Sequence, residues 1–296
     1  MPNVKNKIEN QILNLGMPSQ SNHSKSPIKE SGFKPNKLLG QNFLVDRAVL
    51  KKIIGAADLS AADTVLEIGP GLGALTQELI KLVGQVVAVE KDKALAARLK
   101  EKFAALKNIK IVEGDILKLL AWAIEQLNDY KVVANIPYYL TARLLRKFLE
   151  STHPPKLMLL MLQKEVAQRI CAKPPKMSLL AVATQFYAEP KIISQVSKKS
   201  FWPSPKVDSA IVKFVPCSDA SSQIHPNAPN ISSELFFKVV KAGFSQPRKQ
   251  LAGNLTRQLK IERPAIEAAL KKIGLAPNQR AETLSVNDWI KLSQTL

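Results

Sequence analysis

Cysteine and histidine are scarce in this sequence. Its 296 residues hold two cysteines, Cys171 and Cys217, and three histidines, His23, His153 and His225. The cysteines form no Cys-x-x-Cys pair, and no histidine stands at metal-ligand spacing from another candidate ligand. That spacing speaks against a metal centre and against a Ser-His-Asp machine. His153 in "STHPPK" and His225 in "QIHPNAP" read as exposed loop histidines, and the low cysteine count fits a reducing compartment. Apolar runs approaching the roughly 20 residues that span a bilayer are missing too. Acidic residues are in deficit: 24 Asp and Glu stand against 43 Lys and Arg, a net charge of +19. The excess is spread along the chain rather than packed into one amphipathic helix. The polyanion it suits is nucleic acid before a membrane surface, with a merely soluble basic protein as the plainer alternative.

Along the chain the composition changes three times. Residues 1–36 are rich in Ser, Asn and Lys, with neither the apolar core of a signal peptide nor the arginines of a transit peptide. They read as a basic, disordered tail. From residue 46 apolar strands alternate with helical patterns. The spacing predicts strands at 64–69, 85–90, 109–114, 131–136 and 156–162, helices at 74–83 and 93–106 among others, and a closing β pair at 191–197 and 210–216. Apolar strands alternating with helices imply an α/β fold, a parallel sheet covered on both faces. The organisation expected is a tail (1–36), an α/β domain (37–216), a polar, Pro-bearing linker (217–233) and a small all-helical domain (234–296).

"LEIGPGLGALT" (66–76) places Gly69, Gly71 and Gly73 between the first of these strands and a helix, where backbone can turn tightly against a ligand. Glu90 ends the next strand and can accept from a ribose diol. Gly69-x-Gly71-x-x-Ala74 also satisfies the Gly/Ala form of the dinucleotide fingerprint, so a dehydrogenase competes. Two acids tilt the balance. Glu67 gives the Glu-x-Gly-x-Gly arrangement typical of S-adenosylmethionine-dependent methyltransferases. Asp115, in "EGDIL", stands where an acid could hold an adenine amino group.

"ANIPYYLTARLL" (134–145) then puts Asn135, Ile136, Pro137 and Tyr138 at the end of the fourth strand. Adenine N6 is a poor nucleophile because its lone pair is delocalised into the ring. The Asn135 side-chain oxygen and a main-chain carbonyl near Ile136 can hold its hydrogens, orient the lone pair and stabilise the developing charge. Tyr138 can stack on the base, which must be unstacked or already single-stranded to enter. The bland reading is a proline ending a strand and a core tyrosine. A second aromatic is available in "SFWPSPKVDSAIVKF" (200–214), where Phe201 is favoured over Trp202 to cover the other face.

Taken in order, "KLLGQNFL" (37–44), "LEIGPGLGALT", "VVAVEKD", "EGDIL", "NIPYYLT", "FWPSPKVDSA" and "FSQPRKQLAGNL" resemble the ribosomal RNA adenine N6,N6-dimethyltransferases. The likeness spans about residues 37–290 and is strongest to the small-subunit branch, which dimethylates two adjacent adenosines near the 3′ end of 16S rRNA. It implies a Rossmann-like fold that uses S-adenosyl-L-methionine, a cytoplasmic monomer and the small ribosomal subunit as partner. It also implies roles. Asn42 and Leu44 would close over the cofactor, Gly69 would meet its methionine or ribose portion, Glu90 its ribose hydroxyls and Asp115 its adenine amine. Asn135 would face both cofactor and target amine, and Tyr138 and Phe201 would sandwich the base. Arg248 and Lys249, in a stretch (238–260) with basic but no acidic residues, would track RNA phosphates. The resistance-type large-subunit methyltransferases and a non-catalytic assembly factor are the competing readings.

Overall fold

The computed structural model describes residues 35, 36, 39–125, 127, 129–217 and 231–296. His23, His225, nearly all of the expected tail and most of the expected linker lie outside these residues. Two compact units are present, Met1–Gln41 and Asn42–Leu296. Within the first, Leu39 N–H donates to Asn36 O at 3.2 Å and Asn36 N–H to Gln41 Oε1 at 2.7 Å.

The second unit is built on a seven-stranded sheet. Its strands are β2 (Thr64–Ile68), β3 (Gln85–Glu90), β4 (Ile109–Glu113), β5 (Tyr130–Asn135), β6 (Leu157–Gln163), β7 (Ala188–Val196) and β9 (Ser209–Pro216), in the order β4-β3-β2-β5-β6-β9-β7. The first five are mutually parallel, and β9 runs antiparallel to both β6 and β7. Two further short strands, β1 (Phe43–Leu44) and β8 (Phe201–Trp202), form a separate antiparallel pair. The parallel strands are apolar on both sides because both sides are covered. Leu66, Ile68, Val132 and Ala134 face α4 (Ile116–Glu125) and α5 (Thr141–Leu149). Val65, Val86, Ala88 and Val133 face α1 (Arg47–Ala56), α2 (Ala74–Leu79) and α3 (Lys93–Lys102). This is the α/β arrangement that the alternation of strands and helices called for.

Helix α2 stops at Leu79, short of the expected residue 83. Ile80 and Val83 keep the apolar period but are buried in a turn, at 4% and 5% exposure. Gly84 follows, and a Cβ there would lie 2.7 Å from Ala61 O, so the chain crosses too close to its neighbour for a helix to continue.

Beyond β6 come α6 (Lys164–Ile170) and α7 (Leu179–Tyr187). The C-terminal part contains α8 (Ser233–Gly243), α9 (Leu251–Leu259), α10 (Arg263–Lys272) and α11 (Val286–Thr295). These four helices share a third core with α7, where Phe186 stacks on Phe236 with ring centroids 4.0 Å apart. Trp289 at its centre is fully buried.

Strand order reverses between β2 and β5, which are direct neighbours with Ile68 opposite Ala134. In open α/β sheets ligands bind beyond the strand C-termini at such a reversal. The glycine loop leaves β2 at this point, and Asn135–Tyr138 leaves β5 beside it.

Candidate active site

Gly69, Gly71 and Gly73 have φ of +67°, +60° and +78°, a left-handed run that residues with a Cβ rarely adopt. It turns the chain back so that Gly69 N–H donates to Val89 O at 2.9 Å, and a Cβ at Gly69 would lie 3.9 Å from Asn135 O. The loop after β2 and the strand end of β5 are thus in contact. Gly71 N–H donates to Glu90 Oε2 at 3.0 Å, and Asp92 N–H to Glu90 Oε1 at 2.8 Å. Glu90 is only 6% exposed, and burial raises its pKa above the ordinary value while these two N–H groups oppose the rise.

Asp115 sits at the end of β4, where Gly114 N–H donates to Glu90 O at 2.8 Å. Its Oδ1 accepts from Leu117 N–H at 3.0 Å, and its Oδ2 pairs with Lys91 Nζ at 2.9 Å. The Lys91 ammonium holds its carboxyl below the ordinary range. Sequence reasoning passed over Lys91, although its place directly after Glu90 at a strand end was a usable signal.

Asn135 Nδ2 donates to Asn42 O at 3.2 Å. That bond fixes which way the carboxamide faces and leaves its Oδ1 turned away from Asn42. It also brings Asn42 to the strand ends, which spacing alone could not show. Leu44 behaves differently: its side chain is in the second core, 7% exposed, so any ligand contact falls to its main chain. Ile136 is buried, leaving its main-chain carbonyl as the group able to accept from a ligand. Pro137 O accepts from Leu140 N–H at 2.9 Å, closing a tight turn over Tyr138. Tyr138 is half-buried, and its hydroxyl lies 2.7 Å from Ser209 Oγ on β9, so the ring is held by a strand other than its own. Ser209, absent from the expected site, is what anchors it.

Phe201 is 4% exposed and packed in the second core, and Trp202 beside it is half-buried. Arg248 and Lys249 are exposed in the turn between α8 and α9, on the third core and not at the strand ends. Asn254, buried, shapes that turn by donating from Nδ2 to Gly243 O at 2.7 Å and Gln246 O at 2.9 Å. His153 is exposed in its loop, as its Pro-rich context suggested. Among the described residues no group of His, Cys, Asp and Glu could hold a metal ion, and both cysteines are free.

The decisive feature is the set of acids around the glycine loop. Glu67, 1% exposed, lies behind it with Oε2 lacking any hydrogen-bond partner. Burial first, then the nearby Glu90 charge, pushes its pKa up to about 8. Two buried acids and the half-buried Asp115 therefore surround the loop. Glu90 and Asp115, at successive strand ends, suit the ribose hydroxyls and the amino group of an adenosine moiety, and oppose a pyrophosphate. A family model described as "Ribosomal RNA adenine dimethylase" matches residues 32–296. The chain belongs to this family. Its methyl donor is S-adenosylmethionine, and the acids fit it.

A "Ribosomal RNA small subunit methyltransferase A" from Dehalococcoides mccartyi is 44% identical over 275 residues, 93% of this chain and 92% of its own length. Two crystal structures share the fold. The 23S rRNA methyltransferase ErmE has a TM-score of 0.70 and 29% identity, over 86% of this chain and 99% of that one. A dimethyladenosine transferase from Plasmodium falciparum has a TM-score of 0.70 and 26% identity, over 84% and 95%.

Proposed function

We propose that this protein transfers methyl groups to N6 of two adjacent adenosines near the 3′ end of 16S rRNA, acting on the small ribosomal subunit. The observation that carries the site is the junction of the Gly69 loop with Asn135 at the reversal between β2 and β5. S-adenosylmethionine, when bound, supplies an electrophilic methyl group. Glu90 would hold its ribose hydroxyls and Asp115 its adenine amine, with Gly69, Asn42 and the Leu44 main chain around the rest. Glu67, buried and protonated, would support the loop from behind without adding charge to the donor pocket.

On the other side, Asn135 Oδ1 and the Ile136 carbonyl would accept the two N6 hydrogens. That draws the lone pair out of conjugation and stabilises positive charge as nitrogen attacks. Pro137 sets the turn that lays Tyr138 against the base, and Phe201 would close the opposite face. Neither Tyr138 nor any histidine is needed as a base, because the proton leaves a cationic nitrogen spontaneously once the methyl has moved.

Arg248 and Lys249 would grip phosphates, with residues 234–296 serving as the RNA-binding part and 37–216 as the methyltransferase part. We infer a monomer working in the cytoplasm, because the proposed site draws its residues from one chain. The 44% identity to a small-subunit methyltransferase, against 29% to ErmE, favours the small-subunit substrate over the large-subunit one.

The test uses labelled S-adenosylmethionine with unmethylated small subunits, and large subunits in parallel. Label in N6,N6-dimethyladenosine from small subunits alone is the expected result. Label from large subunits would move the protein to the resistance type, and tight binding without label would leave an assembly factor.

A further inference from the structure

Between the donor side and the base side lies a contact that neither role requires. Strands β1 and β8 pair in antiparallel register, Phe43 opposite Trp202 and Leu44 opposite Phe201. The Phe43 and Trp202 rings stack with centroids 6.3 Å apart and planes at 26°. Phe43 also presses on the glycine loop: a Cβ at Gly71 would lie 2.9 Å from Phe43 Cδ1. Asn42, one residue earlier, takes the Asn135 hydrogen bond. The pairing continues past both strands, where Val45 N–H donates to Ser200 O at 2.9 Å and Ser200 Oγ to Asp46 Oδ2 at 2.8 Å. One end of this ribbon therefore touches the donor loop, and the other carries the aromatic expected at the target base.

We propose that Trp202 is a positioning residue whose stacking on Phe43 couples target-base binding to donor binding. The inference rests on the function proposed above. Phe201, 4% exposed, cannot offer a ring face without a shift of β8. Because β8 is paired to β1, that shift moves Phe43 against Gly71 and Asn42 against Asn135. A base that draws Phe201 out thus reshapes the donor pocket, and an occupied pocket holds β1, and with it β8, in one place. Coupling between two ligands is reciprocal, so each must tighten the other by the same factor.

The experiment measures S-adenosylhomocysteine affinity by calorimetry, with and without saturating unmethylated small subunits. It compares wild type, Trp202→Ala and Trp202→Phe, after circular dichroism establishes that each is folded. Wild type should bind the nucleoside about fivefold to tenfold more tightly when subunits are present. Trp202→Ala should reduce that factor to below about twofold while still binding each ligand singly, and Trp202→Phe should restore it. If Trp202→Ala does not fold, Phe43→Leu is measured in its place with the same expected loss. Wild type that binds both ligands independently, or an alanine variant that keeps the full factor, would overturn the coupling and leave the functional reading intact. Wild type that binds neither would remove that reading, and the coupling with it.

Discussion

The donor side of the site and the C-terminal helices are built on opposite principles. Around the glycine loop the work is done by main chain: left-handed glycines, Gly71 and Asp92 N–H groups on Glu90, and a carboxamide fastened to a carbonyl. The acids there, Glu67, Glu90 and Asp115, are buried or half-buried. In the C-terminal part the candidate contacts, Arg248 and Lys249, are exposed side chains on a turn, and the main chain only displays them. A site made of fixed backbone should fail sharply when one group is altered. A surface made of separate charges should weaken in small, additive steps.

The largest effect should come from the packing that joins the two regions. Trp289 is fully buried, and its ring packs where a Cβ at Gly243 would lie. Trp289→Ala should cost about 3–5 kcal/mol, measured by urea unfolding. Because α7 shares this core, the loss should appear as one cooperative transition in which the sheet also unfolds. Two separated transitions would show the C-terminal helices to be independent and would sharpen the contrast.

Asn135→Ala tests the sharp half of the comparison. It deletes the acceptor at N6 and the tether to Asn42, and the rate of methyl transfer should fall about 10²–10³-fold. RNA affinity, measured in the same preparation, should change little. A wild-type rate would place the reacting amine elsewhere.

Much of this was legible in the sequence, for a physical reason. The parallel strands are apolar runs bounded by glycine or proline, so β2, β3, β4, β5 and β6 could be placed within a residue or two. Glu90 and Asp115 could be found because each ends such a strand. Long-range contacts could not. Ser209 holds Tyr138 from 71 residues away, and Lys91 holds Asp115 across two strand ends. Local pattern carries no record of the first, and for the second it marks only the place of Lys91 at a strand end, not its partner. The pairing of β1 with β8 was equally hidden, since two-residue strands leave no periodicity. Burial of Phe201 was hidden as well, since its core neighbours come from other elements.

Glu67 gives the next effect in size. Its pKa is raised from 4.5 to about 8, so the folded protein keeps a proton that the unfolded chain loses. Stability must then fall as pH rises through that window, by about 1.4 kcal/mol per unit at most. Between pH 5 and 7 the loss should approach roughly 3 kcal/mol as an upper bound. Glu67→Gln imitates the protonated form and should flatten the dependence, seen as a melting temperature that no longer drops with pH. An unchanged slope would mean that other groups set it.

The smallest effects belong to the turn before α9. Arg248 and Lys249 are exposed, and each would release about one counterion on meeting a phosphate. Arg248→Ala and Lys249→Ala should each lower the slope of log affinity against log salt by about 0.7–0.9, and the double variant by their sum. The turn itself should survive, since Asn254 holds it from beneath through Gly243 O and Gln246 O. Removing the turn instead, with Asn254→Ala, disorders both charges together through one buried group. It should therefore reproduce the double variant's slope while also lowering stability. Slopes that move non-additively, or by more than one counterion for one side chain, would mean that this surface is as preorganised as the donor loop, and the contrast between the two regions would fail.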